Sequence, residues 1–189
     1  MRFWKKCRNI QIRIVGRLAA LLAALPIAAC APAPAALEVR GAQIEGAVLR
    51  AQIAWRPAAQ VQEALDHGIP LDFVVRVTAQ SAPRFGLRRT VAERQRHLQL
   101  RYYPLSRQYQ WADLDLQQAR SYGSRALALA ALDDLRLPLP DWRAPQAESY
   151  RVAIALDRGA LPGALRLAAL LRPAWWLASP EYVWAAAAG

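Results

Sequence analysis

The chain has 189 residues, of which 55% are hydrophobic, and a formal net charge of +11 at pH 7. That length is sufficient for one domain with a core of its own. The only cysteines are Cys7 and Cys30, so the rest of the chain contains no disulfide and no thiolates for a structural zinc or iron–sulfur site.

The first thirty residues are typical of a secretory signal peptide. They contain six basic residues, no acidic residue, and an apolar run over residues 18–29 that ends in small residues. The run is shorter than the roughly 20 residues that a membrane-spanning helix requires. We therefore expect an exported protein, periplasmic or membrane-associated.

Two cleavage patterns overlap at the end of this segment, and both interpretations stay open. Ile27-Ala28-Ala29-Cys30 fits a lipobox, in which Cys30 would be lipidated and become the mature N-terminus. Residues 33–35 fit the A-x-A pattern of ordinary signal peptidase instead. The predicted organisation is a signal peptide over residues 1–30, an Ala/Pro tether over residues 31–36, and one domain over residues 37–189.

Removal of the signal peptide changes the charge balance. Six of the 25 basic residues leave with it, so 19 arginines face 14 acidic residues. Abundant Ala, Arg and Pro are also typical of a GC-rich genome, and we favour that explanation of the arginines. Export argues against nucleic acid as the partner.

The first part of the domain predicts a strand, a helix and a second strand. Apolar residues recur at every second position of residues 47–55, which is typical of a strand with one buried face. Pro57 followed by helical spacing, with Gly68 as a stop signal, predicts a helix over residues 57–67. Alternation over residues 69–80 predicts the second strand.

The middle of the domain predicts an antiparallel meander. Alternation predicts strands over residues 84–91 and around Leu98, Leu100 and Tyr102, with a polar interruption at residues 93–96. Residues 104–107 predict a turn into a strand over residues 108–111. Gaps of hairpin length favour antiparallel pairing.

The last part of the domain predicts a helix followed by further strands. Residues 121–135 show helical spacing, with Ser121 or Ser124 as N-cap and Pro138 as a barrier to continuation. Residues 150–156 predict a strand, whereas residues 165–171 fit either a strand or a helix. Residues 175–179 and 181–186 predict a strand pair around Pro180.

Together these elements predict a mainly β, α+β fold. We expect an antiparallel β-sandwich or half-barrel of about eight short strands with two short helices, preceded by an N-terminal signal helix.

A dense basic run is the candidate site for anionic lipid headgroups or lipopolysaccharide phosphates, because arginine binds phosphate through charge-assisted hydrogen bonds. Its members are Arg84, Arg88, Arg89, Arg94 and Arg96. The alternative interpretation is a hairpin whose charges are solvated.

Four aromatic residues near the C-terminus are the candidate groove for a sugar or peptide. They are Trp175, Trp176, Tyr182 and Trp184. Packing in or beside the core is the alternative interpretation.

The chain contains no recognisable catalytic or metal-binding constellation. His67 and His97 are the only histidines, and we interpret both as structural or solvated. We interpret Asp113 and Asp115 as solvated acids rather than as a catalytic pair. We expect a protein that is not an enzyme and that requires no cofactor or metal.

Four segments of the domain, in their order and spacing, carry a family resemblance. They are residues 64–71 (ALDHGIPL), 100–109 (LRYYPLSRQY), 156–162 (LDRGALP) and 175–179 (WWLAS). They resemble the domain of unknown function 4390 family, whose members are uncharacterised exported proteobacterial proteins. The chain departs from the family pattern where Gly163 and Ala164 replace a proline.

The resemblance implies no established activity, cofactor or catalytic residue. It implies an accessory role in the cell envelope, beside a membrane sensor kinase. The leading hypothesis is a non-enzymatic module that binds a membrane-protein partner, such as a sensor kinase. The alternative is a domain that binds anionic lipid or glycan. The oligomeric state stays open.

Overall fold

A computed structural model describes residues 36–83, 85 and 87–186. The predicted signal peptide, Cys30, residues 31–35 of the tether and Arg84 lie outside the described residues. The described part contains nine strands and three short α-helices, which confirms the mainly β prediction. Its buried apolar residues lie between Leu37 and Leu177, within one compact unit, Ala35–Gly189.

The smaller of two antiparallel sheets has three strands in the order β1–β2–β7. They are β1 (Leu37–Glu45), β2 (Val48–Trp55) and β7 (Leu135–Pro138). The first predicted strand is confirmed as β2, in which alternate residues are buried. The sequence analysis missed β1, which pairs with β2 along its whole length.

The larger sheet has six strands in the order β6–β5–β4–β3–β8–β9, and every pairing is antiparallel. The strands are β3 (Leu71–Gln80), β4 (Thr90–Tyr103), β5 (Gln108–Asp113), β6 (Gln118–Tyr122), β8 (Ser149–Leu156) and β9 (Tyr182–Ala185). β3 and β8 confirm two predicted strands and lie side by side in the sheet. Their apolar residues alternate because one face is covered by the core.

Three short helices connect these strands. They are α1 (Ala59–Asp66), α2 (Arg125–Ala130) and α3 (Gly163–Leu171). α1 confirms the predicted helix, and the turn after it contains Gly68 at φ 78°. A side chain at Gly68 would place its Cβ 3.3 Å from the carbonyl oxygen of Tyr102, so glycine allows the close approach to β4.

α2 is shorter than the predicted helix, because residues 121–122 belong to β6 and residues 131–134 form a 3₁₀ turn. Ser124 caps α2, and its hydroxyl accepts a hydrogen bond from the Leu127 N–H at 3.3 Å. Ser121 lies in β6 instead. The chain then tightens into a 3₁₀ turn, Ala131–Asp134, and leads directly into β7.

β4 corrects the prediction for the middle of the domain. It is continuous from Thr90 to Tyr103, so the predicted interruption at residues 93–96 is wrong. The strand predicted over residues 84–91 is also wrong: Phe85 lies in a turn, Leu87 forms only a bridge, and the strand begins at Thr90. Pairing with β3 supplies backbone hydrogen bonds to the polar stretch regardless of its hydropathy.

The predicted C-terminal strand pair is wrong as well. Residues 173–175 form a 3₁₀ turn, Ala178 forms a bridge to Ala155 of β8, and β9 pairs with β8. Both segments thus use the same edge of β8 rather than each other. The open alternative at residues 165–171 resolves to a helix, α3, in which Leu165 and Ala169 point inward four residues apart.

One apolar core joins the two sheets. Phe73 of β3 lies between Trp55 of β2 and Trp111 of β5, with ring centroids 5.1 Å and 5.7 Å away. The connecting segment between α2 and β8 adds Leu132 and Leu139, both fully buried. The sheets therefore pack face to face, as in a sandwich, rather than as separate units.

Candidate functional site

The predicted basic run divides into two environments. Arg88, Arg89 and Arg94 are exposed near the start of β4. The Arg88 guanidinium donates a hydrogen bond to the Ser149 hydroxyl at 3.1 Å, at the start of β8. Arg96 belongs to the other environment, because only 3% of its side chain is exposed.

Arg96 forms ion pairs with two carboxylates, those of Asp113 and Asp115. Its Nη2 contacts Asp113 Oδ2, and its Nε lies 3.4 Å from Asp115 Oδ2. Asp113 Oδ1 also accepts hydrogen bonds from the backbone N–H groups of Asp115 and Leu116. Asp113, with 12% of its side chain exposed, is thus an ion-pair partner and not the solvated acid that we expected.

His97 completes this cluster from the outer face of β4. Its backbone N–H donates to Asp115 Oδ2 at 2.8 Å, and its ring Nδ1 lies 3.1 Å from Asp115 Oδ1. Burial raises the pKa of Asp115, but the hydrogen bonds from His97 and the charge of Arg96 outweigh it and leave the pKa lowered. Both carboxylates are therefore engaged in structural bonds.

The four aromatic candidates do not form one groove. Trp175 is buried in the core and Trp176 is exposed. Tyr182 and Trp184 lie beside each other on β9 instead, with ring centroids 6.0 Å apart. Trp184, which packs partly against the core, also lies beside Tyr150, with ring centroids 5.4 Å apart, so that Tyr182, Trp184 and Tyr150 form an aromatic row.

Sequence analysis missed Tyr150 and Trp142 as members of this row. Their ring centroids lie 6.3 Å apart. The alternation of β8 places Tyr150 on the same face as Val152 and Ile154, which was a usable signal. No local signal indicated Trp142, because it lies in an irregular segment between β7 and β8.

An unpredicted cleft of about 110 Å³ lies between β6 and β7, where an edge of each sheet faces the other. Its apolar lining includes Leu98, Trp111, Tyr122, Leu132 and Leu137. The polar lining includes Gln118 and Arg120 of β6, together with Asp134 and Arg136. β6 pairs with β5 on one side and with none of the described strands on the other.

A second polar cluster fastens α1 and α2 to the larger sheet. The Tyr109 hydroxyl donates to Asp66 Oδ1 at 2.7 Å, and Arg125 donates to Asp66 Oδ2 at 2.7 Å. Burial, then the hydrogen bond to the Asp66 carboxylate, raises the pKa of Tyr109 from 10.0 to about 12. Ionisation of Tyr109 would place a negative phenolate beside the negative Asp66 carboxylate.

The Tyr109 cluster yields a pH prediction. Because the folded pKa of about 12 exceeds the unfolded value, this contribution to stability is complete below pH 10.0 and is lost as the pH rises through 12. We expect Tyr109→Phe to remove the highest-pH step from the phenolate absorbance titration. Tyr103→Phe, at an exposed position, is the control and should leave that step in place. An unchanged step in Tyr109→Phe would contradict the assignment.

The described residues contain no cluster of three or more His, Cys, Asp or Glu that could hold a metal ion. Nor does any helix in that part of the chain have the length and apolar character needed to cross a membrane.

Comparison with known families identifies the domain. The sequence matches the profile described as "Domain of unknown function (DUF4390)" over residues 36–185. The chain belongs to this family. That match covers all nine strands and all three α-helices of the described residues. No curated protein and no solved structure gives a significant match to the chain.

The segments that carry the DUF4390 resemblance meet in pairs. In residues 64–71 and 100–109, Asp66 bonds Tyr109 and Leu71 pairs with Leu100. The last segment, residues 175–179, contacts β8 and the start of the third segment, residues 156–162. The Leu156 N–H donates to the Leu177 carbonyl at 2.8 Å, and the Ser179 hydroxyl accepts from the N–H of residue 154 at 3.0 Å. These residues of the pattern therefore hold the fold together.

Proposed function

We propose that this domain is a non-enzymatic interaction module of the bacterial cell envelope that binds a membrane-protein partner. The observation that carries the proposal is the cleft between β6 and β7, which is bordered by an exposed edge strand. An edge strand presents unpaired backbone N–H and C=O groups on one side, and an extended segment of a partner can add to it as a further strand.

The side chains of β6 suit such an addition. Gln118, Arg120 and Tyr122 recur at every second position and line the cleft, while Ala119 and Ser121 belong to the opposite face. An added strand would place its own alternate side chains over the same cleft. The central Arg120 favours a partner segment that carries an acidic residue.

The engaged carboxylates support a binding role over catalysis. Asp113 and Asp115 are held by Arg96 and by backbone N–H groups. A catalytic acid or base must reach a substrate proton within hydrogen-bond distance. The resemblance noted above adds a membrane sensor kinase as one candidate class of partner, and the expected export signal agrees with an encounter outside the cytoplasm.

Site-specific photo-crosslinking in cells tests this proposal. A photoreactive residue at Ala119 should capture one membrane protein, whereas the same residue at Leu105, an exposed turn position, should not. Arg120→Glu should weaken the Ala119 product, since the charge in the cleft is reversed. Arg143→Glu, at another exposed arginine, is the matched control and should leave it unchanged. Absence of a specific membrane-protein product, or equal loss with both charge reversals, would contradict the proposal.

The second candidate function is binding of anionic lipid or glycan through the basic run. Its support is that Arg88, Arg89 and Arg94 are exposed, while Arg88 reaches Ser149, whose strand partner Ala185 follows Trp184. Replacing Arg88 and Arg89 by glutamine should abolish salt-sensitive binding to anionic vesicles if this candidate is correct.

A further inference from the structure

α3 presents an apolar side to solvent. Leu167, Leu170 and Leu171 are 65%, 53% and 75% exposed, and Trp176, after the 3₁₀ turn, is 57% exposed. The three leucines are three and four residues apart, so they form one continuous stripe on the helix. A surface helix of a globular protein normally carries charged or polar residues on this side.

The inward side of α3 is already filled, so the stripe is not a misplaced core face. Ala169 is fully buried and Leu165 packs partly against the core. The N-terminal turn of α3 is fixed because the N–H groups of Leu165 and Arg166 donate to the Pro162 carbonyl, each at 2.9 Å. The leucine stripe therefore lies on the side of α3 that faces away from Leu165 and Ala169.

Arginines predominate in the sequence around the stripe. Residues 158–180 contain Arg158, Arg166 and Arg172 and no Asp or Glu; Asp157 and Glu181 stand at the two ends of this stretch, and Glu181 is paired with Arg151. Arg166 folds back to donate to the Leu161 carbonyl at 3.3–3.4 Å, which keeps its charge at the helix. A leucine face flanked by arginines with an adjacent tryptophan is the pattern of a segment that lies in the interface of an anionic bilayer.

The described chain begins close to α1, which the 3₁₀ turn after α3 contacts. The Arg56 N–H donates to the Ala36 carbonyl at 2.8 Å, and α1 follows at once. The first described residues of the domain therefore lie at the end that carries the 3₁₀ turn after α3.

We propose that α3 and Trp176 form a membrane-docking surface that inserts its leucine stripe into the interface of an anionic lipid bilayer. This surface uses none of the residues of the β6–β7 cleft, so it goes beyond partner binding.

Vesicle co-sedimentation tests this surface with the fragment Ala35–Gly189, which contains the buried core residues of the described part. Wild-type fragment should bind phosphatidylglycerol-containing vesicles more tightly than phosphatidylcholine vesicles. Replacing Leu167, Leu170 and Leu171 together by glutamine should weaken binding at least tenfold, to about the level of a helix without an apolar face. The circular dichroism melt should stay close to wild type, because these side chains lie outside the core.

A matched control separates the stripe from general surface hydrophobicity. Leu87, Leu114 and Leu127 are also exposed, at 76%, 45% and 58%, and lie elsewhere on the domain. Their simultaneous replacement by glutamine should leave vesicle binding unchanged. Quenching of tryptophan fluorescence by brominated lipid should be strong in the wild type and weak in Trp176→Phe.

Charge variants identify the lipid-facing arginines. Arg158→Gln and Arg172→Gln should each weaken binding to anionic vesicles about fivefold, the factor that corresponds to one basic residue near a charged membrane surface. Arg88→Gln with Arg89→Gln should have no effect. The opposite pattern would assign lipid binding to the basic run and overturn the proposal.

Two other results would also overturn it. One is vesicle binding that survives in the leucine triple variant. The other is a fragment that dimerises without lipid and that the triple variant converts to a monomer, since the stripe would then be an interface with a second copy of this chain. Loss of vesicle binding with unchanged crosslinking at Ala119 would leave partner binding intact, so the two proposals fail separately.

Discussion

Asp113→Ala is expected to lower the free energy of unfolding by about 3–5 kcal/mol, because it leaves the buried Arg96 guanidinium without its main counter-ion. Only 3% of the Arg96 side chain is exposed, so water cannot replace the lost carboxylate. The turn after β5 also loses the acceptor for the N–H groups of Asp115 and Leu116. Urea unfolding followed by circular dichroism measures the effect.

Two further variants make the Asp113 result interpretable. Asp134→Ala removes an exposed carboxylate that is paired with an exposed arginine, Arg136, and should change the urea midpoint little. Arg96→Met combined with Asp113→Leu should be more stable than Asp113→Ala alone, since an apolar pair requires no buried charge compensation. If Asp113→Ala unfolds at the wild-type midpoint, the ion pair does not stabilise the fold.

Phe73→Ala is expected to cost about 3–5 kcal/mol of unfolding free energy, the range for removal of a buried aromatic side chain. Phe73 is 1% exposed and contacts the rings of Trp55 and Trp111, so its loss opens a cavity between the two sheets. The same urea titration measures it.

Phe85→Ala is the matched control for Phe73→Ala. The Phe85 side chain is fully exposed in a turn, so its truncation should leave the urea midpoint where it is. Equal shifts in the two variants would indicate that the packing between the sheets does not depend on Phe73.

The elements that sequence analysis predicted correctly are those whose pattern has one local cause. β2, β3 and β8 each bury alternate residues, so their period of two is visible in the sequence. α1 has a proline before it and a glycine after it, and both signals act within a few residues. Ser124 caps α2 for the same local reason.

The elements that it missed depend on pairing partners that lie far away in the chain. β4 continues through polar residues because β3 supplies its hydrogen bonds. β9 forms against β8, with Ser149 opposite Ala185, and not against its sequence neighbour. The aromatic candidates divided for a similar reason: Trp175 and Trp176 are adjacent in sequence, yet one lies in the core and the other in solvent.

The arginine run shows the same limit for the candidate sites. Its members are close in sequence, and Arg94 and Arg96, two residues apart on β4, even share a face of the strand. Only Arg96 contacts Asp113 of β5, and Arg96 is buried whereas Arg94 is exposed. No local signal indicated the β6–β7 cleft either, because its walls come from both sheets. The leucine stripe of α3 was visible as apolar residues, but its exposure depended on which side of the helix the core covered.

The sequence by itself determined the mainly β class, the principal buried strands and the family, because alternation, breakers and ordered motifs are local properties of the chain. Only the tertiary structure decided which charges are buried, which edges stay free and which apolar residues face solvent. Those properties depend on contacts between segments that are distant in sequence, and a residue's exposure exists only after those segments have packed.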